Sequence, residues 1–135
     1  MRLVIFSFAM MLWPATAWAD PCEGRLPDRP GERFSGIVRY VGDGDSLCVG
    51  DRPDPATWIE VRLADFDAPE LNAPGGRDAR NRLVRLAADR RVECTAERGR
   101  SGRVVVWDRV IARCRLNGRA LGDALRASGG REGGR

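Results

Sequence analysis

The sequence alternates apolar and polar residues over several short stretches, and this alternation limits the possible folds more than any other feature. A period of two places successive side chains on opposite faces of a β-strand. It predicts three strands at residues 34–41, 46–49 and 58–64. The turn at 41–45 and the proline-containing loop at 50–57 separate them. We therefore expect the domain to begin with a three-stranded meander.

The second half of the chain changes to a helical period and then returns to strands. Residues 77–89 carry Ala and Leu at helical spacing opposite a row of arginines, which predicts one amphipathic helix. Further elements are predicted as a fourth strand (91–95), an exposed loop (97–103), a fifth strand (110–116) ending in the turn Asn117-Gly118, and a short helix (121–127). Residues 104–107 either belong to the fifth strand or precede it.

This element order predicts an α+β fold that is mainly β. Three strands, a helix, two strands and a short C-terminal helix fit a five-stranded Greek-key barrel of the OB type. The amphipathic helix would connect strands 3 and 4. Other small α+β folds are also compatible with the order of elements.

The N-terminus has the composition of a signal peptide. Arg2 is followed by an apolar run at 3–13 and by the small-x-small pattern Ala17-Trp18-Ala19 before Asp20. We therefore divide the chain into a signal peptide (1–19), an N-terminal arm (20–33), one folded domain (34–127) and a flexible basic tail (128–135). A secreted or periplasmic protein, with no membrane association after cleavage, is expected.

Cysteine and histidine usage narrows the possible chemistry. The four cysteines, Cys22, Cys48, Cys94 and Cys114, all follow the predicted signal peptide, which favours two disulfides formed in an oxidising compartment. Three connectivities are possible. The sequence has no histidine and no Cys-x-x-Cys pair, which argues against a zinc site and excludes catalysis by an imidazole.

Charge is divided between two halves of the chain. Residues 20–76 contain 6 arginines and 12 acidic residues, whereas residues 77–119 contain 13 arginines and 5 acidic residues. The chain has no lysine. Because the guanidinium group binds phosphate through two parallel hydrogen bonds, the basic half favours a polyanionic partner. A solvated basic face is the alternative.

Residues 61–70 combine one arginine with three carboxylates where the third strand ends. The alternation places Arg62 on the face opposite the apolar residues. Pro69 cannot donate to a strand ladder, so Asp67 and Glu70 should lie on a stiff exit loop beside the strand. We interpret this segment as half of an active site.

Three segments together resemble the staphylococcal nuclease (thermonuclease) family: Asp43-Gly44-Asp45-Ser46, the Arg-x-x-x-x-Asp-x-Pro-Glu pattern at 62–70, and the segment 108–112 that opens the fifth strand. The resemblance covers about residues 34–127. It implies an OB-fold barrel that hydrolyses DNA and/or RNA with little sequence preference and leaves 3′-phosphate ends. We expect the protein to act as a monomer.

The resemblance also implies a Ca²⁺ site. Asp45 and Asp67 would be ligands, and the carbonyl oxygen of Ala68 would be a third, in a position where the family often has threonine. Carboxylate and carbonyl oxygens are the donors that Ca²⁺ prefers.

The remaining family residues would carry the reaction. Glu70 would be the general base that activates water for in-line attack on phosphorus. Arg62 and Arg109 would bind the phosphate and stabilise the negative charge that builds on it in the transition state.

The chain departs from the family pattern before the fifth strand. The usual Tyr-Gly-Arg is Trp107-Asp108-Arg109 here, and Arg103 in Ser101-Gly102-Arg103 is a rival for the second phosphate-binding arginine. We favour Arg109, because it precedes Gly118 by the nine residues usual in the family.

The inferred barrel also suggests a disulfide pairing and a role for one further acid. Cys94 and Cys114 would lie on adjacent strands, so we pair them and leave Cys22 with Cys48. Asp65 shares the alternation of the apolar residues of its strand, and we expect it to be a strand-end or capping carboxylate and not a ligand.

Two other functions are compatible with the composition. A non-catalytic OB-fold module that binds nucleic acid or another polyanion would use the arginines and leave Glu70 without a role. A secreted structural protein that binds calcium for stability would use the carboxylates and leave the arginines without one.

Overall fold

The computed structural model describes residues 20–133, which form seven strands and two α-helices. A single 3₁₀ turn, Pro55–Thr57, precedes the third strand. The strands are β1 (Arg33–Asp43), β2 (Ser46–Gly50), β3 (Ile59–Leu63), β4 (Arg91–Ala96), β5 (Val105–Val106), β6 (Arg109–Leu116) and β7 (Arg119–Ala120), and the helices are α1 (Gly76–Ala87) and α2 (Leu121–Ala127).

Five of the strands close into a mixed barrel, which confirms the predicted OB-type fold. Their order is β3-β2-β1-β4-β6, and parallel pairing of β3 with β6 closes the ring. Strand β1 is long: residues 33–37 pair with β4 and residues 37–43 pair with β2, where two register shifts interrupt the ladder. The two-residue strands β5 and β7 extend β6 outside the barrel.

Apolar side chains that alternate along the strands fill the barrel. Val61, Leu63 and Val110 are fully buried where β3 meets β6. Leu83 of α1 and Leu125 of α2 are also fully buried and join the same core cluster. Each such side chain contributes roughly 1.5–3 kcal/mol by leaving water. The two helices therefore complete the core that the strands begin.

The turns follow their sequence signals. Asn117 and Gly118 both have positive φ, at 50° and 78°, and join β6 to β7 in a two-residue hairpin. The sequence could not decide whether residues 104–107 belong to the fifth predicted strand. Residues 105 and 106 form the separate strand β5, which pairs with the start of β6 at Arg109.

Two disulfides are formed, Cys22–Cys48 and Cys94–Cys114, and they are the pairs that the inferred strand order predicted. Cys94 and Cys114 are direct partners on β4 and β6. The other disulfide joins the N-terminal arm to β2. Two disulfides are more typical of extracellular or periplasmic proteins than of cytosolic ones.

The C-terminal segment differs from the prediction. We expected residues 128–135 to form a flexible basic tail, but residues 128–133 return to the barrel. Gly133 N–H donates to the carbonyl of Asp67 at 2.8 Å, and Gly130 N–H donates to the carbonyl of Leu125 at 2.8 Å. Glycine allows this close approach, because a Cβ would lie 2.7 Å from the Leu125 carbonyl oxygen at Gly130 and 3.0 Å from the Pro69 Cα at Gly133.

The predicted signal peptide at 1–19 lies outside the described residues. Within residues 20–133, neither helix combines the length and the apolar character needed to cross a lipid bilayer.

Candidate active site

Arg62 is the structural centre of the segment that the sequence singled out. Its side chain is only 11% exposed, and its Nη2 lies 2.5 Å from Asp67 Oδ1 and 3.1 Å from Asp45 Oδ2. Its Nη1 donates to the carbonyls of Leu63 and Phe66 at 2.7 and 2.9 Å. The guanidinium group therefore holds the exit loop of β3 against the turn between β1 and β2.

Asp45 reaches this point from the two-residue turn that joins β1 to β2. It is 4% exposed, and its Oδ2 accepts a hydrogen bond from Ala68 N–H at 2.7 Å. A Cβ at Gly44 would lie 2.5 Å from the Ala68 Cβ and 2.6 Å from the Ala79 Cβ. Glycine is therefore required at position 44 for the turn to approach the exit loop and α1.

Burial and a neighbouring carboxylate change the acidity of this turn. Burial, with a further contribution from the charge of Asp43, raises the pKa of Asp45 to about 7, although Arg62 opposes the shift. Burial would also raise the pKa of Asp43, but hydrogen bonds from Asp45 and Ser46 outweigh it and hold that pKa below its ordinary value. The two adjacent carboxyls thus differ in acidity.

The donor chemistry of this cluster suits a hard cation. Carboxylate oxygens of Asp45 and Asp67 lie within 3.1 Å of one common point, and Ala68, the third predicted ligand, is hydrogen-bonded to Asp45. The positive charge at that point is the guanidinium of Arg62. No cluster of three or more acidic, cysteine or histidine side chains that could hold a metal occurs between residues 20 and 133.

Arg62 and Arg109 line one cavity of about 440 Å³. Arg109 begins β6, next to the point where β6 pairs with β3. Arg103, the rival position, is exposed and does not line this cavity. Arg100 from the same loop does, and its Nη2 lies 2.6 Å from Asp67 Oδ2. The loop at 97–103 therefore contributes Arg100 to the cavity, and not Arg103, which the sequence had suggested.

Glu70 lies on a neighbouring cavity. It is exposed and lines a space of about 620 Å³ together with Ala68, Pro69 and residues of α1 and the C-terminal segment. Phe66 and Glu132 line both cavities. The structure thus brings Arg62, Asp45, Asp67 and Ala68 into contact. Arg109 lines the same cavity as Arg62, and Glu70 lines the neighbouring one.

Asp65 has the capping role that its position in the alternation predicted. Its Oδ2 accepts a hydrogen bond from Gly122 N–H, at 3.1 Å, in the first turn of α2. A Cβ on Gly122 would lie 2.5 Å from the same oxygen, so glycine permits the contact. Asp65 therefore fixes α2 to the exit loop of β3.

Glu60 is buried, although the alternation placed it on the polar face of β3. It is 6% exposed, and its carboxyl is hydrogen-bonded to that of Asp20 in the N-terminal arm. Burial, followed by the charges of Asp108 and Asp20, raises the pKa of Glu60 to about 7, while Arg109 opposes the shift. The arm that covers Glu60 is fixed by the disulfide at Cys22, so its burial depends on a long-range contact.

Sequence reasoning missed three residues that border the site, namely Arg100, Arg126 and Glu132. Arg126 of α2 lies over the Phe66 ring, 5.6 Å from its centroid, and its Nη2 lies 3.0 Å from Glu132 Oε1. Glu132 also accepts a hydrogen bond from Asp67 N–H at 3.1 Å. The composition of 97–103 indicated a basic loop, but only tertiary contacts select Arg100 and the two C-terminal residues.

No model of a known protein family matches this chain, and no curated protein is similar enough in sequence to indicate a relationship.

Proposed function

We propose that the protein is a Ca²⁺-dependent nuclease that hydrolyses phosphodiester bonds of DNA and/or RNA with little sequence preference and leaves 3′-phosphate ends. The observation that carries the proposal is the convergence of the Asp45 and Asp67 carboxylates on Arg62 at the edge of an arginine-lined cavity. The resemblance of the three sequence segments to staphylococcal nuclease supports the same activity. The two disulfides are consistent with a secreted or periplasmic enzyme.

The arginines would bind the scissile phosphate. Arg109 lines the same cavity as Arg62, so a phosphate bound there could receive hydrogen bonds from both arginines. Their charges would stabilise the transition state most, because negative charge grows on the phosphate oxygens as the bond breaks. Arg100 and Arg126 also line this cavity, where they are paired with Asp67 and Glu132.

Asp45, Asp67 and the Ala68 carbonyl would hold the calcium ion, which when bound would polarise a phosphoryl oxygen. Arg62 neutralises the two carboxylates in this arrangement, so its guanidinium must share them with the ion or exchange them for phosphate oxygens.

Glu70 would be the general base. It is exposed and lines a cavity beside Asp67, so it could bind a water molecule and accept its proton. A sequence without histidine offers few other groups for this task. The shared wall of Phe66 and Glu132 would have to open or be bridged by substrate for Glu70 to act on a phosphate in the other cavity.

A cleavage assay with a matched carboxamide control tests this proposal. Purified protein would be incubated with single-stranded DNA or RNA, with Ca²⁺ or with chelator. We expect Ca²⁺-dependent cleavage that falls by a factor of 10² or more in Glu70→Gln, because the base is removed. Glu93→Gln, an exposed glutamate of β4 on neither cavity, should retain the wild-type rate.

A non-catalytic module that binds nucleic acid is the second candidate function. It is favoured by the position of Glu70, which lines a cavity other than the one lined by the arginines. Wild-type protein that retards single-stranded DNA on a gel but does not cleave it at any Ca²⁺ concentration would establish this function and reject the nuclease.

A further inference from the structure

Trp107 is the most exposed large apolar side chain of the described residues. It is 87% exposed, whereas Tyr40 and Leu71, the other large apolar residues on the surface, are each 37% exposed. Trp107 lines the cavity that contains Arg62 and Arg109. Such a side chain contributes little to the core, because almost none of its surface leaves water on folding.

The backbone of Trp107 is also strained. It occupies the two-residue turn between Val106 of β5 and Arg109 of β6, and its φ is +61°. Glycine or asparagine is usual at positive φ, and a bulky aromatic residue there costs conformational energy. Strain of this kind concentrates at ligand-binding sites. Folding alone therefore gives no reason for tryptophan at this position.

The other tryptophan of residues 20–133 provides a contrast. Trp58 is partly buried, packs against the backbone of Gly50, and donates from its indole nitrogen to the carbonyl of Arg52 at 2.6 Å. Trp58 has a structural role that is visible in its contacts. Trp107 instead leaves most of its surface open to solvent beside a cavity lined by four arginines and three carboxylates.

Arginines that attract a polyanion, with an exposed aromatic ring beside them, are the features by which proteins bind single-stranded nucleic acid. The arginines bind the phosphates, and the ring stacks on a base whose face is not covered by its neighbours. In a duplex, both faces of every internal base are stacked, so the ring would have no partner there. A polyanion without bases would use only the arginines.

We propose that Trp107 stacks on an unpaired nucleobase beside the arginine-lined cavity, and that the ligand of this cavity is therefore single-stranded DNA or RNA. This inference rests on the proposed function only in that nucleic acid occupies the cavity. It does not depend on cleavage.

Binding without turnover tests the proposal. Fluorescence anisotropy would be measured in the Glu70→Gln background with chelator present, using labelled oligothymidylate, oligouridylate, an abasic strand of equal length and a blunt duplex. Trp107→Ala should weaken binding of the two base-containing single strands by roughly tenfold, and binding of the abasic strand by less than about twofold. Comparison of the thymidylate and uridylate arms shows whether the base-dependent loss occurs with both DNA and RNA.

Two further variants separate stacking from a structural effect. Tyr40→Ala removes another exposed aromatic ring that does not line the cavity, and it should leave all four affinities unchanged. Trp107→Asn places a residue that tolerates positive φ in the turn, so its thermal unfolding midpoint should equal or exceed that of the wild type while binding weakens as in Trp107→Ala. Trp107→Phe should restore most of the affinity.

The outcomes of the binding and cleavage assays are independent. Equal loss of affinity for the abasic and base-containing strands in Trp107→Ala, or no loss for either, would overturn the stacking inference even if the wild type cleaves DNA. Base-dependent binding through Trp107 without Ca²⁺-dependent cleavage would support the inference and reject the nuclease.

Discussion

At the residue scale, the same arginine serves the fold and the candidate site. Arg62 is held by two carboxylates and two carbonyls of its own chain, so its side chain is ordered before any ligand arrives. The sequence predicted the direction of this side chain, because a period of two fixes the face on which it lies. Its partners could not be predicted, because Asp45 comes from a turn 17 positions earlier in the chain.

Glu60 is one of two buried carboxyls, with Asp45, whose raised pKa predicts a pH effect on stability. Burial raises its pKa from 4.5 to about 7, so near neutral pH the folded protein keeps a proton that the unfolded chain releases. The folded state therefore loses stability as pH rises from about 4.5 to 7, and the penalty is complete above 7. Asp20 and Asp108 contribute to the shift and Arg109 opposes it.

Glu60→Gln should remove this penalty, because glutamine stays neutral and can still donate to Asp20. We expect the variant to match the wild type near pH 4.5 and to exceed it at pH 8 by on the order of 2 kcal/mol. Urea unfolding at both pH values measures the difference. The exposed Glu93→Gln is the control. A gap between Glu60→Gln and wild type that narrows as pH rises would contradict the assigned direction.

At the element scale, most of the strands and helices could be predicted from local patterns. The starts of β2 and β4 and both ends of α2 were predicted to the residue, because alternation and turn residues mark them. Strand β1 extends two residues beyond its predicted end, to Asp43, because Asp43 pairs with Ser46 across the turn. The contacts that bury Glu60 and direct residues 128–133 join distant segments, and local patterns could not predict them.

The start of α1 controls the position of Glu70. Gly75 has φ of +81°, and a Cβ on the buried Gly76 would overlap the carbonyl oxygen of Glu70. Gly76→Ala should therefore push the loop that carries Glu70 away from α1. We expect a stability loss of about 1–3 kcal/mol from this overpacking, and a larger fractional loss of cleavage than of DNA binding.

Gly102→Ala is the control, because a Cβ at this position would meet nothing within 4 Å. Its φ of +81° nevertheless imposes a backbone cost on alanine. It should reduce stability modestly and leave cleavage at the wild-type rate. Unfolding midpoints and initial cleavage rates of both variants provide the comparison. Full activity of Gly76→Ala would show that the position of Glu70 does not limit the reaction.

At the scale of the whole molecule, closure of the barrel brings the acidic and basic halves of the chain together. Parallel pairing of β3 with β6 places the carboxylates that follow β3 next to the arginines that precede and begin β6. In the sequence the two halves are separate blocks of charge. Barrel closure brings the end of β3, in the acidic half, beside the start of β6, in the basic half. The candidate site is therefore a consequence of the same contact that completes the fold.

The two disulfides stabilise this closed barrel in different ways, although their loops are similar. Cys22–Cys48 spans 26 positions and Cys94–Cys114 spans 20, so restriction of the unfolded chain predicts about 3 kcal/mol for each. Cys94 and Cys114 are both buried, whereas in the other disulfide Cys48 is buried and Cys22 is partly exposed. Replacing the Cys94–Cys114 pair by alanine thus leaves the larger cavity.

We therefore expect Cys94→Ala/Cys114→Ala to destabilise the protein more than Cys22→Ala/Cys48→Ala, by about 1–2 kcal/mol beyond the shared loss. Urea unfolding of both double variants measures this difference. The Cys22→Ala/Cys48→Ala variant should in addition release the arm from β2, so Glu60 should become more accessible and the pH dependence of stability should weaken in that variant alone. Equal losses in the two variants, with unchanged pH dependence in both, would mean that neither core packing nor arm attachment distinguishes the disulfides.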